Sequence, residues 1–363
     1  MSQNDVKGAE GAAVDAEGAA VEAEGAAVDA ECAVAGAECA VAGAECAAVG
    51  AECSASGAEC AAADVVQIPE PGTPQWRHNL PRPAWLRTSL RTDKTYARVA
   101  ATLKRGHLFT VCREAQCPNR QECWSDGTAT FMILGDTCTR ACRYCAVNHG
   151  CAKPLSAEEP QAVAEAVQAM ELRYAVLTSV TRDDLPDGGA EHFARTIECI
   201  KELCPDTGVE VLIPDFGDSQ PALERVLQAG PRVLNHNIET VERLFPQLRP
   251  QGNYKRSLQL LERANAWRKE HGARMLLKSG LMVGLSETWD EVLQVMDDLR
   301  EREVEVLTVG QYLRPSFEQV PVMRYWEPEE YEELKRQGFK RGFKFVEAGV
   351  FVRSSYHAAS HGN

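Results

Sequence analysis

Basic residues are almost missing from the start of this 363-residue chain. Between Met1 and Trp76 fourteen Asp and Glu stand against one Lys, Lys7, and no Arg precedes Arg77. A mitochondrial presequence is Arg-rich and poor in acids, so that route of import is not expected. Long apolar runs are missing too. None reaches the roughly eighteen residues a membrane helix needs, and no basic stretch followed by an apolar one opens the chain. Neither membrane insertion nor secretion is expected, and the cytoplasm is the expected compartment. The acidic start accounts for most of the net charge of −14 and leaves about −1 for the remainder. That remainder has no basic stripe to neutralise phosphates, which argues against nucleic acid as a partner.

The start also lacks large side chains. From about residue 9 to 63 the sequence repeats every seven residues, with Glu10, Glu17, Glu24, Glu31, Glu38, Glu45, Glu52 and Glu59 in register among Ala, Gly and Val. A coiled coil needs large apolar residues at two positions per heptad, and here Ala, Val and a recurring Gly take their place. A disordered acidic tail over residues 1–65 is the expectation. Cys32, Cys39, Cys46, Cys53 and Cys60 follow the last five of those Glu residues, so a metal-binding tract is the competing reading. A proline-rich linker follows.

What the rest contains is regular alternation. Six β-rich runs, at 129–134, 174–180, 209–216, 232–239, 275–284 and 304–313, are separated by helical stretches. Ser156 with Glu159, and Ser286 ahead of a periodic run, give helix-start signals. The expected fold is α/β, a partial (βα)6 TIM-type barrel with an N-terminal extension. In such folds functional groups gather where strands end. The expected organisation is a tail at 1–65, linker and extension at 66–125, barrel at 126–325 and a C-terminal segment at 326–363.

Chemistry enters with the cysteines. The chain has fourteen, and without a signal peptide metal or redox chemistry is a better reading than a disulfide framework. Cys138, Cys142 and Cys145 form CxxxCxxC directly after the first run. Three close thiolates can hold three corners of a cubane cluster and leave the fourth iron open to a ligand from solution. A structural zinc site, with His149 as a fourth ligand, is the alternative; it would usually show two-residue gaps and four ligands. A second triplet lies upstream, Cys112, Cys117 and Cys123, in CxxxxCxxxxxC.

The CxxxCxxC spacing resembles that of the radical S-adenosylmethionine superfamily. The upstream triplet, with CPN and ECW in place, and the motifs LTSVTRDDLPDGGAEH, NHNIETV, KSGLMVGLSET and RSSY resemble those of lipoyl synthases, from about Pro83 to Ala358. The resemblance implies two [4Fe-4S] clusters and S-adenosylmethionine as cosubstrate, cleaved reductively to a 5′-deoxyadenosyl radical. Cys138, Cys142 and Cys145 would hold the radical cluster. Cys112, Cys117 and Cys123 would hold an auxiliary one, with Ser355 of RSSY as fourth ligand and the cluster as sulfur donor. Thr178, Ser179 and Glu239 would help hold S-adenosylmethionine, and these with Asn237 and Lys278 would sit at strand ends facing the site. Arg182, Asp183 and Arg353 would organise cluster and substrate.

The implied reaction inserts sulfur at carbons 6 and 8 of a protein-bound octanoyl-lysine. Implied partners are octanoylated lipoyl domains of 2-oxoacid dehydrogenases, the glycine-cleavage H protein, an electron donor such as ferredoxin or flavodoxin, and a cluster-repair carrier. The rivals are another sulfur-inserting radical enzyme, a ferredoxin-like electron carrier and a zinc-stabilised binding module. Cys151, Cys199 and Cys204 are read as structural, and His192 and His236 as hydrogen-bonded within the fold. Leu277 stands where the family more often has Thr.

Overall fold

Short strands without a polar face dictate the centre of this protein. The computed structural model describes residues 66–87, 93–126 and 128–361, all within one unit, Ala62–Asn363. The heptad array, with both readings of it, lies outside the described residues. Ten strands follow in chain order: β1 Phe109–Thr110, β2 Thr130–Ile133, β3 Thr137–Cys138, β4 Asn148–His149, β5 Tyr174–Ser179, β6 Gly208–Leu212, β7 Val233–Asn235, β8 Leu276–Val283, β9 Val306–Gln311 and β10 Phe345–Gly349. Every residue of β2 and β9 is buried, the pattern of strands covered on both sides.

Eight strands form one sheet in the order β1-β2-β5-β6-β7-β8-β9-β10. Each neighbouring pair is parallel except β1 with β2, which is antiparallel. From β2 onward, spatial order follows chain order, as repeated βα crossovers produce. All six expected strands are present. β10 is a seventh parallel strand that the sequence reading did not assign, and β1 adds an antiparallel edge.

Helices fill the crossovers by burying one apolar stripe each. Ala190–Leu203 places Phe193, Ala194, Ile197 and Ile200 at zero exposure, the spacing of one helical face. Each of the three large side chains contributes roughly 2 kcal/mol by leaving water. Helix starts differ from expectation by a few residues. Ser156 precedes a helix that begins at Glu159 with Pro160 in its first turn, where Pro sacrifices no hydrogen bond. Thr288, not Ser286, caps Trp289–Glu301, closing a reciprocal capping box with Glu291.

Two glycines shape the sheet's inner side. A Cβ at Gly280 would stand 2.3 Å from Thr308 Oγ1, and one at Gly310 would stand 2.1 Å from the Val352 carbonyl oxygen. Gly310 is therefore the seat on which the segment after β10 lies against β9. Asn119 Nδ2 donates to Phe351 O at 2.6 Å, tying that segment to the N-terminal extension.

Candidate active site

The parallel register stacks the inner residues in levels. Thr130 pairs with Val176, and Val176 with Glu210, at the lower end of the sheet. The chain then leaves β2 upward into the loop that carries Cys138, Cys142 and Cys145. β1 approaches β2 from the other side, with Thr110 opposite Phe131, so Cys112 follows at the lower end. The two cysteine triplets are thus attached near opposite ends of β2. Four residues at about 3.3 Å each put those ends about 10 Å apart.

One cavity of about 560 Å³ joins them, a volume typical of small-molecule sites. Cys112, Cys117, Cys138, Cys142, Cys145, Thr178, Ser179, Glu239 and Ser355 all line it. Cys123 does not line it, but its thiol feels Cys112 and Cys117 and, with burial as the larger cause, is pushed up to about 12. Burial likewise raises Cys112, with Cys117 adding to it. Cys145 is pushed up to about 12 by burial, opposed by a backbone N–H and reinforced by Cys142 and Cys138. Each triplet is therefore a set of neighbouring thiols in a poorly hydrated place, none of them in a disulfide. Bound iron would reverse the raised values, since a coordinating thiol is deprotonated.

These residues fit iron–sulfur clusters by their donor set, two groups of three free thiols facing or adjoining one cavity. The zinc reading lacks its fourth ligand, because His149 is exposed and outside the cavity lining. The backbone N–H groups of Arg140 and Thr181 point at Cys138 Sγ from 3.4 and 3.3 Å, the kind of contact that tunes cluster sulfur.

The loop triplet is held by a charge cluster that sequence reading did not identify. Arg140 donates to Asp183 Oδ2 and Oδ1 at 2.7 and 2.8 Å, and to Asp215 Oδ2 and Oδ1 at 3.0 and 2.6 Å. Burial pushes Asp215 up, but the hydrogen bonds and charge of Arg140 outweigh it and hold the carboxyl below its ordinary value. Asp183 thus organises the loop through Arg140. Arg182 is buried and donates to Asp184 and to Leu134 O, away from the cavity lining.

Near the upper strand ends, buried polar atoms lack partners. Ser179 Oγ, Asn235 Nδ2 and Oδ1, Asn237 Oδ1 and Arg249 Nε are unsatisfied, and all four residues line the cavity. Unpaired buried groups of this kind are rare unless a polar ligand completes them. Burial raises Glu239, opposed by the charge of Arg249 and by Asn237. Glu239 also has a left-handed φ of 69°, an uncommon conformation for a residue with a side chain. The loops beyond β7 therefore bring one carboxyl group and one guanidinium cation to the cavity, Arg249 being the second residue missed from the sequence.

At the lower end, Thr130 Oγ1 donates to Ser355 Oγ at 2.8 Å, while Asn237 Nδ2, beyond the upper end of β7, donates to Ser354 Oγ at 2.6 Å. Burial lowers Arg353, opposed by Cys117, which places its charge beside the upstream triplet.

Lys278 does not stand at a strand end. It is the third residue of β8, wholly buried, donating to Glu210 Oε1 at 2.8 Å, while Tyr174 Oη donates to Glu210 Oε2 at 2.9 Å. A buried ammonium requires such a partner, and Glu210 supplies it. His236 and His192 are hydrogen-bonded within the fold, as expected. His236 Nδ1 donates to Ile213 O at 2.9 Å and Nε2 accepts from Ser257 Oγ at 3.0 Å, and burial holds the ring neutral, down to about 4. His192 Nε2 lies 2.7 Å from Glu159 Oε2.

Known proteins carry the same pattern. Residues 132–299 match the Radical SAM superfamily. The lipoyl synthase of Roseiflexus sp. (strain RS-1) is 52% identical over 282 residues, covering 78% of this chain and 92% of that one. That of Chloroflexus aggregans is 51% identical over 280 residues, 77% and 90% of the two chains. That of Chlorobium limicola is 49% identical over 283 residues, 78% and 95%. At these identities, over nearly the full length of the relatives, the chain belongs to the lipoyl synthase family of radical S-adenosylmethionine enzymes.

Proposed function

We propose that this protein inserts sulfur at carbons 6 and 8 of an octanoyl group carried on a lysine of another protein, consuming one S-adenosylmethionine per insertion. The observation that carries the reading is the single cavity lined by thiols of both triplets, with β2 between them. The ends of β2, about 10 Å apart, set the distance along which an acyl chain would reach between the triplets. When bound, the radical cluster with S-adenosylmethionine supplies hydrogen abstraction from an unactivated methylene, and the auxiliary cluster supplies sulfur.

The chain's own residues bind and position. Cys138, Cys142 and Cys145 would hold one [4Fe-4S] cluster with an iron left open. Cys112, Cys117, Cys123 and Ser355 would hold the second. A serine oxygen is a hard ligand on a soft cluster, so its bond yields before the thiolates do. Thr178, Ser179, Asn237 and Glu239 offer hydrogen-bonding atoms for S-adenosylmethionine, and Arg249 offers a cation for its carboxylate. Apolar lining such as Met132, Val176, Leu281 and Met282 suits an acyl chain.

On this reading the sheet curls into a partial (βα)6 barrel over residues 126–325. Strands wound in sequence, with one cavity lined from β2 and from β5 through β9, support that shape. Residues 66–125 form the auxiliary-cluster extension, 326–363 the C-terminal segment and 1–65 a tail. The carrier is a lipoyl domain or a glycine-cleavage H protein, electrons come from a donor such as ferredoxin or flavodoxin, and a repair carrier rebuilds the auxiliary cluster, all in the cytoplasm. Among the described residues no helix is long and apolar enough to cross a membrane.

The test is mass spectrometry of an octanoyl-lysine peptide incubated anaerobically with reconstituted protein, S-adenosylmethionine and a strong reductant. Two sulfur atoms per peptide are expected. Cleavage of S-adenosylmethionine with no sulfur on the peptide would move the function to another substrate.

A further inference from the structure

A tethered substrate brings its carrier to the mouth of the cavity, so the rim there meets the carrier's surface; this step rests on the protein-bound substrate proposed above. Among the residues lining the cavity, Arg82 and Gln116 are the exposed ones, which puts the opening beside the N-terminal extension. Charge in the segment beside that opening is mainly positive, although the exposed Glu327 accepts from Trp85 Nε1 at 3.0 Å. The side chains of Arg77, Arg82 and Arg87 are exposed and form no ion pair or hydrogen bond among the described residues. Glu70 is the one acid within residues 66–87.

Among arginines elsewhere, Arg225 pairs with Glu191 and Glu198, Arg243 with Glu291 and Arg268 with Glu305, whereas Arg98, Arg173 and Arg274 are also exposed without an ion pair among the described residues but lie outside the cavity lining. Arg314, which also lines the cavity, is used structurally. Its guanidinium lies 5.7 Å from the Trp76 ring and 5.1 Å from Phe317, and it donates to Asn79 Oδ1 at 2.9 Å. Trp76 Nε1 donates to Phe317 O at 3.0 Å, so Arg77 is anchored at the rim. Phe317 keeps 63% of its surface in water despite that packing. The rim thus offers three unengaged guanidinium groups and one largely exposed phenyl ring, covered in part by Arg314.

We propose that Arg77, Arg82, Arg87 and Phe317 form the docking surface for the carrier, and that it selects proteins presenting acidic side chains around the acylated lysine. Exposed ion pairs add little affinity once formed, but charges at a rim steer encounter and reject carriers of the wrong sign. The effect therefore belongs in KM and its salt dependence, while kcat belongs to the interior.

The experiment compares two substrates on the full-length reconstituted protein: an octanoylated acidic carrier domain and a short uncharged octanoyl-lysine peptide. In the double variant Arg77→Glu/Arg87→Glu, KM for the carrier should rise about tenfold, with kcat and the peptide reaction unchanged. The Arg77→Gln/Arg87→Gln protein should show a smaller rise. Added salt should raise the carrier KM of the unaltered protein and leave that of the double variant nearly flat. A carrier KM that stays within about twofold overturns the proposal, and so does an equal loss on both substrates. If the unaltered protein adds sulfur to neither substrate, the reading of function falls and the docking surface with it.

Discussion

The two cysteine triplets meet in one cavity but are built from different kinds of chain. The upper one is local: three thiols within eight residues, pinned by Arg140 to two aspartates and by backbone N–H groups to the loop after β5. The lower one is assembled from afar. Its cysteines precede the sheet, while Ser355 arrives more than two hundred residues later and is held by Thr130 and the Gly310 seat. On the proposed reading, a locally pinned loop suits the cluster that survives every turnover. A site closed by a strap then suits the one that opens to give up sulfur.

Exchanging losses between the ends tests that contrast most severely. Cys142→Ala should abolish S-adenosylmethionine cleavage, whereas Cys117→Ala should keep cleaving it and add no sulfur, as read by chromatography of the nucleoside product and mass spectrometry of the peptide. The comparison breaks if both variants lose the same activity. Ser355→Cys should sharpen it: a soft fourth thiolate holds iron more firmly, so chelator-extractable iron should fall and sulfur insertion slow by about tenfold or more.

Arg140→Met probes the rigid end. It strands Asp215 with only Arg256, 3.4 Å away, and should cost about 3 kcal/mol, seen as a lower melting temperature and earlier loss of iron from the radical cluster. Gly310→Ala probes the strap. Crowding against Val352 should cost about 1–3 kcal/mol and weaken the auxiliary site, while S-adenosylmethionine cleavage holds. An auxiliary-cluster spectrum identical to that of the unaltered protein would show that the strap has another seat.

The same contrast explains what could be read from the sequence. Runs such as YAVLTS and VLTVGQ are wholly or almost wholly buried strands, so composition alone marks them. β10 escaped because its five residues, FVEAG, alternate between buried and half-buried positions and contain Glu and Gly. The CxxxCxxC loop was legible because its spacing is local. Arg140 and Arg249 were not, since Arg140 meets Asp183 and Asp215 forty-three and seventy-five residues away and Arg249 acts through cavity geometry. Lys278 was read as a site residue by resemblance, and only the register of β6 to β8 reveals the Glu210 that neutralises it.

The strap also carries a consequence for how the protein is made. Synthesis runs from the N-terminus, and Ser355 emerges from the ribosome some two hundred residues after Cys145. On the proposed reading, the local set of ligands is therefore complete early, while the distant one stays three-legged until translation is nearly over. A chain that ends before Ser355 would, on that same reading, keep the residues assigned to S-adenosylmethionine and lack a finished sulfur store, which makes loading of the second cluster the natural checkpoint of maturation.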